Sequence, residues 1–299
     1  LRRSVTHYRQ LVDKLGRWAW QQLCSDWRPA AYQREVVDWR GDPDKGSKVD
    51  GLLAMGGTTL FYVAKPRYAM ALAERLSQTE SLRGRVGLYY GRMPTEERAF
   101  LQTALEEGSL VLVVTAEPMT EHLEQYFDRL VLYHLPVTPA EFRSVWGFGS
   151  RKLYLVYTAK DVNRNQKFWS QLYPGREELV QLYLALGRAG SSSQAVEVSS
   201  KWSIRSRVPL DWGGVCRGLR VFSELKLVTL DGPASWEKAG SVWVKLLPSP
   251  KNKLDLTRSI SYNECVKLRD YLDRYGHWAL RTPISEFQGQ EAWEKVLGA

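Results

Sequence analysis

Histidine and cysteine are scarce in this 299-residue chain, and their scarcity excludes several chemistries. The four histidines, His7, His122, His134 and His277, are never adjacent. A hydrolytic metal centre needs several hard ligands close together, and no such cluster is visible. His134 lies inside an apolar strand pattern and reads as structural. Cys24, Cys216 and Cys265 are odd in number and far apart. They read as reduced, structural thiols of a cytoplasmic protein, because a disulfide framework or a zinc site needs clustered pairs. No apolar run approaches the roughly 20 residues of a membrane span, and no signal-peptide pattern opens the chain, so no membrane partner is expected. The first residue is Leu rather than Met, which points to a piece of a longer protein.

Catalytic signatures are equally thin. Gly41 to Lys48 is a turn-rich stretch with a superficial likeness to a phosphate loop. A phosphate loop places Lys directly after its last Gly, with Ser or Thr next. Here Ser47 comes before Lys48, so the stretch reads as a solvated loop. Gly147-Phe148-Gly149-Ser150 lacks the order of a nucleophile elbow. Asp38 and Asp255 are isolated and read as turn or capping groups.

What the chain does hold is basic charge and aromatic rings. Its net charge is +9, with 12 Trp and 15 Tyr. Residues 1–150 carry 19 Lys+Arg against 18 Asp+Glu, and residues 151–299 carry 23 against 15. The surplus therefore belongs to the second half and suits a phosphate-rich partner.

Hydrophobic patterning divides the chain in three. Residues 1–30 have helical spacing (Leu11, Leu15, Trp18, Leu23) and read as a helix leading in from a preceding domain. Residues 31–160 read as an α/β domain. Leu110 to Thr115 and Leu130 to Leu135 are continuous apolar runs, the pattern of strands buried on both faces of a parallel sheet. Strands near 36–40, 58–64, 86–91 and 152–157, with helices near 67–76 and 95–106, complete a sheet of about five strands. Residues 161–299 read as a smaller α+β domain. A helix at 177–186, a Gly/Ser loop, a helix at 212–227 and a hairpin at 228–246 follow in winged-helix order. A helix at 262–275 and a short cap around Phe287 and Trp293 close the chain.

The order of the first half, with a strand to Tyr89-Tyr90-Gly91, a helix, two apolar strands and then Thr138-Pro139-Ala140-Glu141-Phe142, resembles the second motor domain of superfamily 2 helicases. In those motors Q-x-x-G-R-x-G-R follows and supplies arginine fingers. Here Ser144 to Ser150 stands in its place without those arginines, so the resemblance implies the fold and not the motor chemistry. Further phrases follow in order: Phe168, Tyr173-Pro174-Gly175-Arg176-Glu177, Tyr183, Phe222-Ser223-Glu224-Leu225, and Lys253 to Ser259 before Tyr262. Together they resemble the C-terminal region of a subset of bacterial RecJ proteins, single-strand-specific 5′→3′ DNA exonucleases. That resemblance implies a non-catalytic accessory region in cis to a nuclease core absent from this sequence, acting in DNA repair and recombination. The Asp-His-His motif of that core, and with it Mn or Mg, is not expected in this chain, nor is any other cofactor.

A basic-aromatic cluster, Lys201, Trp202, Arg205 and Arg207, precedes the 212–227 helix. Arg217 and Arg220 lie in that helix, away from its Val215/Leu219/Phe222 face. Lysine and arginine would neutralise the phosphates of single-stranded DNA, and Trp202 would stack a base. Lys251 and Lys253 form a second, weaker patch. The alternative is a protein-interaction module that docks a helicase or a single-strand-binding protein.

Overall fold

A computed structural model describes residues 34–42, 44–90, 93–116, 121–190, 194–232, 237, 240–248 and 254–287. The expected lead-in helix, the 251–253 patch and the cap around Trp293 lie outside them. The chain forms two compact units. One comprises the described residues up to Asn163 together with those from Tyr275 onward, and the other runs from Arg164 to Arg274. The last segment thus groups with the first unit, where the sequence placed it in a 161–299 domain.

The first unit is built on a parallel sheet of six strands, one at each of the strand patterns read in the sequence. They are β1 (Glu35–Asp38), β2 (Thr59–Tyr62), β3 (Val86–Tyr89), β4 (Leu112–Thr115), β5 (Arg129–Leu132) and β6 (Lys152–Leu155), in the order β1-β6-β5-β2-β4-β3. Every residue of β2 and β4 is buried, as the apolar runs require. Alternation along each strand feeds two cores. Leu60, Tyr62, Val113, Leu130 and Leu132 meet α3 (Thr95–Glu106) and α4 (Pro139–Trp146). Phe61, Val63, Leu112, Val114 and Val131 meet α1 (Lys45–Ala54) and α2 (Pro66–Ser77).

Lys45 to Lys48 is helical, where the sequence reading placed a loop. The Asp44 carboxylate accepts from Ser47 N at 3.1 Å, and burial of Val49 and Leu52 draws the segment onto the sheet. Asp38 is exposed, as expected, but ends β1 and accepts two hydrogen bonds from the Arg40 guanidinium, each 2.8 Å. Arg40 in turn donates to the carbonyls of Ala279 and Thr282 at 2.7 and 2.8 Å.

In the second unit, the end of α5 (Ala159–Leu172) leads to α6 (Arg176–Ala189), β7 (Val196–Ser199), α7 (Ser200–Arg205) and α8 (Trp212–Glu224). The hairpin β8 (Val228–Asp231) and β9 (Ser241–Leu246) follows. The expected hairpin is a three-stranded antiparallel sheet, because β7 pairs with β9. Leu179, Leu182, Val198, Val215, Leu219, Phe222, Val242 and Val244 form its core. The final long helix, α9 (Ile260–Arg281), outruns the expected 262–275, and α10 (Ile284–Phe287) closes the described chain.

Candidate nucleic-acid interface

In the first unit, Ser144 to Ser150 contains no Lys or Arg. Ser144 to Ser150 covers the end of α4 and the turn after it. Trp146 and Phe148 are 9% and 4% exposed. Trp146 stacks on Phe142 and Phe287, with ring centroids 5.8 and 5.3 Å apart. Arg143, inside α4, is 3% exposed. The rings of this stretch belong to the core.

The six singled-out residues of the second half separate into two groups. α7 begins where the Ser199 hydroxyl accepts from Trp202 N at 3.3 Å. Lys201 and Arg205 lie four residues apart on α7, so they share one face, and both are exposed. Exposed Arg207 follows two residues later, in the turn to α8. Trp202 is half-buried and packs against the core, which holds most of its ring away from an incoming base. Ile204, exposed at 78%, lies among the three cations, and the sequence reading passed over it.

Arg217 and Arg220 differ from the expectation. Arg217 donates to the Leu172 carbonyl at 3.2 Å and lies over the Tyr173 ring, 4.6 Å from its centroid. It braces α8 against the end of α5. Arg220 is exposed but paired with the Glu237 carboxylate. Both faces of α8 are engaged. Its Val215/Leu219/Phe222 face is buried, as expected from the sequence. A Cβ added at Gly214 would lie 2.0 Å from the Gln171 carbonyl oxygen, and one at Gly218 would lie 2.5 Å from Leu182. Such contacts hold this side of α8 tightly in the protein. Lys201, Arg205 and Arg207 remain as exposed cations on α7 and its following turn.

Among the described residues no group of three His, Cys, Asp or Glu side chains is placed to hold a metal. Cys216 and Cys265 are buried, and desolvation pushes the Cys265 thiol up to about 11, so little of it is thiolate at neutral pH. His134 sits at the end of β5 between the rings of Tyr68 and Tyr133, and its Nδ1 faces Ala64 N at 3.4 Å. Asp255 caps the short 3-10 turn Leu256–Arg258 through Thr257 N at 3.0 Å. No described helix is long and apolar enough to cross a membrane.

No protein-family model matches the chain, and no curated protein matches it. Solved structures do. The C-terminal domain of S. cerevisiae Dbp5, bound to Gle1 and IP6, is 17% identical at a TM-score of 0.34, over 46% of this chain and 84% of that one. The Mycobacterium smegmatis helicase Lhr, bound to single-stranded DNA and AMP-PNP, is 13% identical at 0.34, over 81% of this chain and 34% of that one. The DUF1998 helicase MrfA, bound to DNA, is 12% identical at 0.31, over 72% of this chain and 32% of that one. The chain therefore spans about a third of the length of the latter two. Its own topology, a six-stranded parallel sheet followed by a small antiparallel one, defines the fold class as α/β.

Proposed function

We propose that this chain is a non-catalytic accessory region of a RecJ-type single-stranded-DNA exonuclease, and that it grips single-stranded DNA through α7 and the turn after it. The carrying observation is the placement of charge. Arg164–Arg274 holds 18 Lys+Arg against 11 Asp+Glu, so +7 of the total +9 lies in the second unit. Its exposed Lys201, Arg205 and Arg207 lie within seven consecutive residues. The ordered RecJ-like phrases supply the cellular setting, and the nuclease core with its Mn or Mg is expected in cis.

Fluorescence anisotropy of a labelled single-stranded oligonucleotide across a salt series tests the grip. Three phosphate contacts give a slope of log affinity against log salt of about −2, since each contributes about −0.7 on single strands. Arg205→Glu with Arg207→Glu should weaken binding and flatten the slope by about 1.4. No binding at low salt, or a slope unmoved by this double variant, would overturn the proposal.

A further inference from the structure

The outer face of the three-stranded sheet carries a feature that a DNA-binding surface does not need. Along β9, Val242 and Val244 face the core, so Ser241, Trp243 and Lys245 face outward. Trp243 is 50% exposed, in the central strand of its sheet. The strand register sets Glu197 of β7 directly opposite it on one side and Asp231 of β8 directly opposite on the other. Both acidic residues are exposed. Directly opposed residues of antiparallel strands have Cβ atoms about 5 Å apart, so two carboxylates flank one indole. Lys245, opposite Thr229, lies one pleat repeat further along and ends the acidic strip.

An exposed indole is a strong anchor for a partner, since tryptophan is enriched among residues that dominate binding energy. Its face attracts cations, and guanidinium and ammonium groups are the side chains that use it. A carboxylate on each side adds charge-assisted hydrogen bonds to the same cation and repels phosphate. We propose that the Glu197–Trp243–Asp231 triplet docks an arginine or lysine side chain from a basic segment of a partner protein. The nucleic-acid contact proposed on α7 and this docking face carry opposite charge. The second unit is strongly basic overall, so general electrostatics would drive a basic peptide away from it. Binding of such a peptide therefore has to be local.

The test uses the full chain labelled with 15N-tryptophan, with the Trp243 indole resonance assigned through Trp243→Phe. The probe is a 12-residue Gly/Ser peptide carrying four arginines. Its controls are the same peptide with citrulline in place of arginine, and a 12-nucleotide oligothymidine. The arginine peptide should shift the Trp243 indole resonance, and the citrulline peptide should not. Glu197→Gln with Asp231→Asn, which keeps the shape of the face, should weaken the arginine peptide about tenfold. An unmoved Trp243 resonance, equal shifts by the citrulline peptide, or undiminished binding to the charge-neutralised variant would overturn the proposal. A Trp243 shift produced by oligothymidine and not by the arginine peptide would overturn it as well, by assigning the indole to base stacking.

Discussion

Arg207 has φ +53, the left-handed region that a non-glycine residue enters at a cost of about 1–2 kcal/mol. It follows the last turn of α7, and its amide donates to the Ile204 carbonyl at 3.2 Å, so the strain ends the helix. Glycine would fill that conformation without strain, yet its greater unfolded-state freedom takes back about 0.5–1 kcal/mol. Arg207→Gly should therefore leave stability unchanged or raise it by up to about 1.5 kcal/mol. Affinity for single-stranded DNA should fall at the same time, because one cation is lost. Arg217→Ala should do the opposite. It removes the brace to Leu172 and Tyr173 and lowers stability, while affinity stays nearly constant. Urea unfolding and anisotropy on both variants decide the matter. A parallel loss of stability and affinity in Arg207→Gly would show that this arginine serves the fold.

At the scale of elements, α8 shows what the sequence discloses and what it withholds. Its buried face was legible, because Val215, Leu219 and Phe222 recur at helical spacing. The role of Arg217 was not, because its partner Leu172 lies 45 residues earlier and no local pattern links them. β7 and α7 were missed for a related reason. Val196-Glu197-Val198-Ser199 is only four residues long, and its strand is fixed by pairing with β9. The parallel strands were legible since burial on both faces leaves continuous apolar runs, whereas α1 was hidden behind Gly46 and Gly51. The junction of α8 with α9 was also invisible in sequence. Glu224 accepts from Ser259 Oγ at 2.6 Å and from Ser261 Oγ and N at 2.5 and 3.1 Å, at the start of α9. Partial burial opposes its ionisation, but these hydrogen bonds outweigh burial and hold the carboxyl below its ordinary 4.5. The ionised form therefore stabilises the fold, fully above about pH 4.5, and that contribution fades as pH falls through the lowered value. Glu224→Gln should lower the melting temperature at pH 7, and the gap to the unaltered chain should narrow as pH falls below 4.5. Melting curves showing a gap that stays constant down to pH 3 would contradict an electrostatic role.

At the scale of the whole molecule, the first unit is completed by the last described residues of the chain. Tyr275, Ala279 and Phe287 are each no more than 1% exposed and belong to the core that α3 and α4 share with the sheet. Phe287 stacks on Phe142 with centroids 5.8 Å apart. Tyr275 donates its hydroxyl to the Pro136 carbonyl at 3.0 Å, and the buried Tyr157 hydroxyl donates to the Ala279 carbonyl at 2.8 Å. Removing one buried aromatic ring costs about 3–5 kcal/mol, and a whole domain is stable by about 5–15 kcal/mol. Ending the chain at Arg274 removes two such rings and leaves Tyr157 and Arg40 without their carbonyl partners. That loss is comparable to the entire stability of the unit. Hydrogen-exchange mass spectrometry should then show the amides of β2, β4 and β5 losing protection in the shortened chain, while β7, β8 and β9 keep more of theirs. Phe287→Ala in the full-length chain should give a weaker version of the same pattern, about 3–5 kcal/mol less protection in the parallel sheet. Unchanged exchange in β2, β4 and β5 of the shortened chain would mean that the α/β unit is self-sufficient, and that its C-terminal aromatic residues are an addition to a finished core.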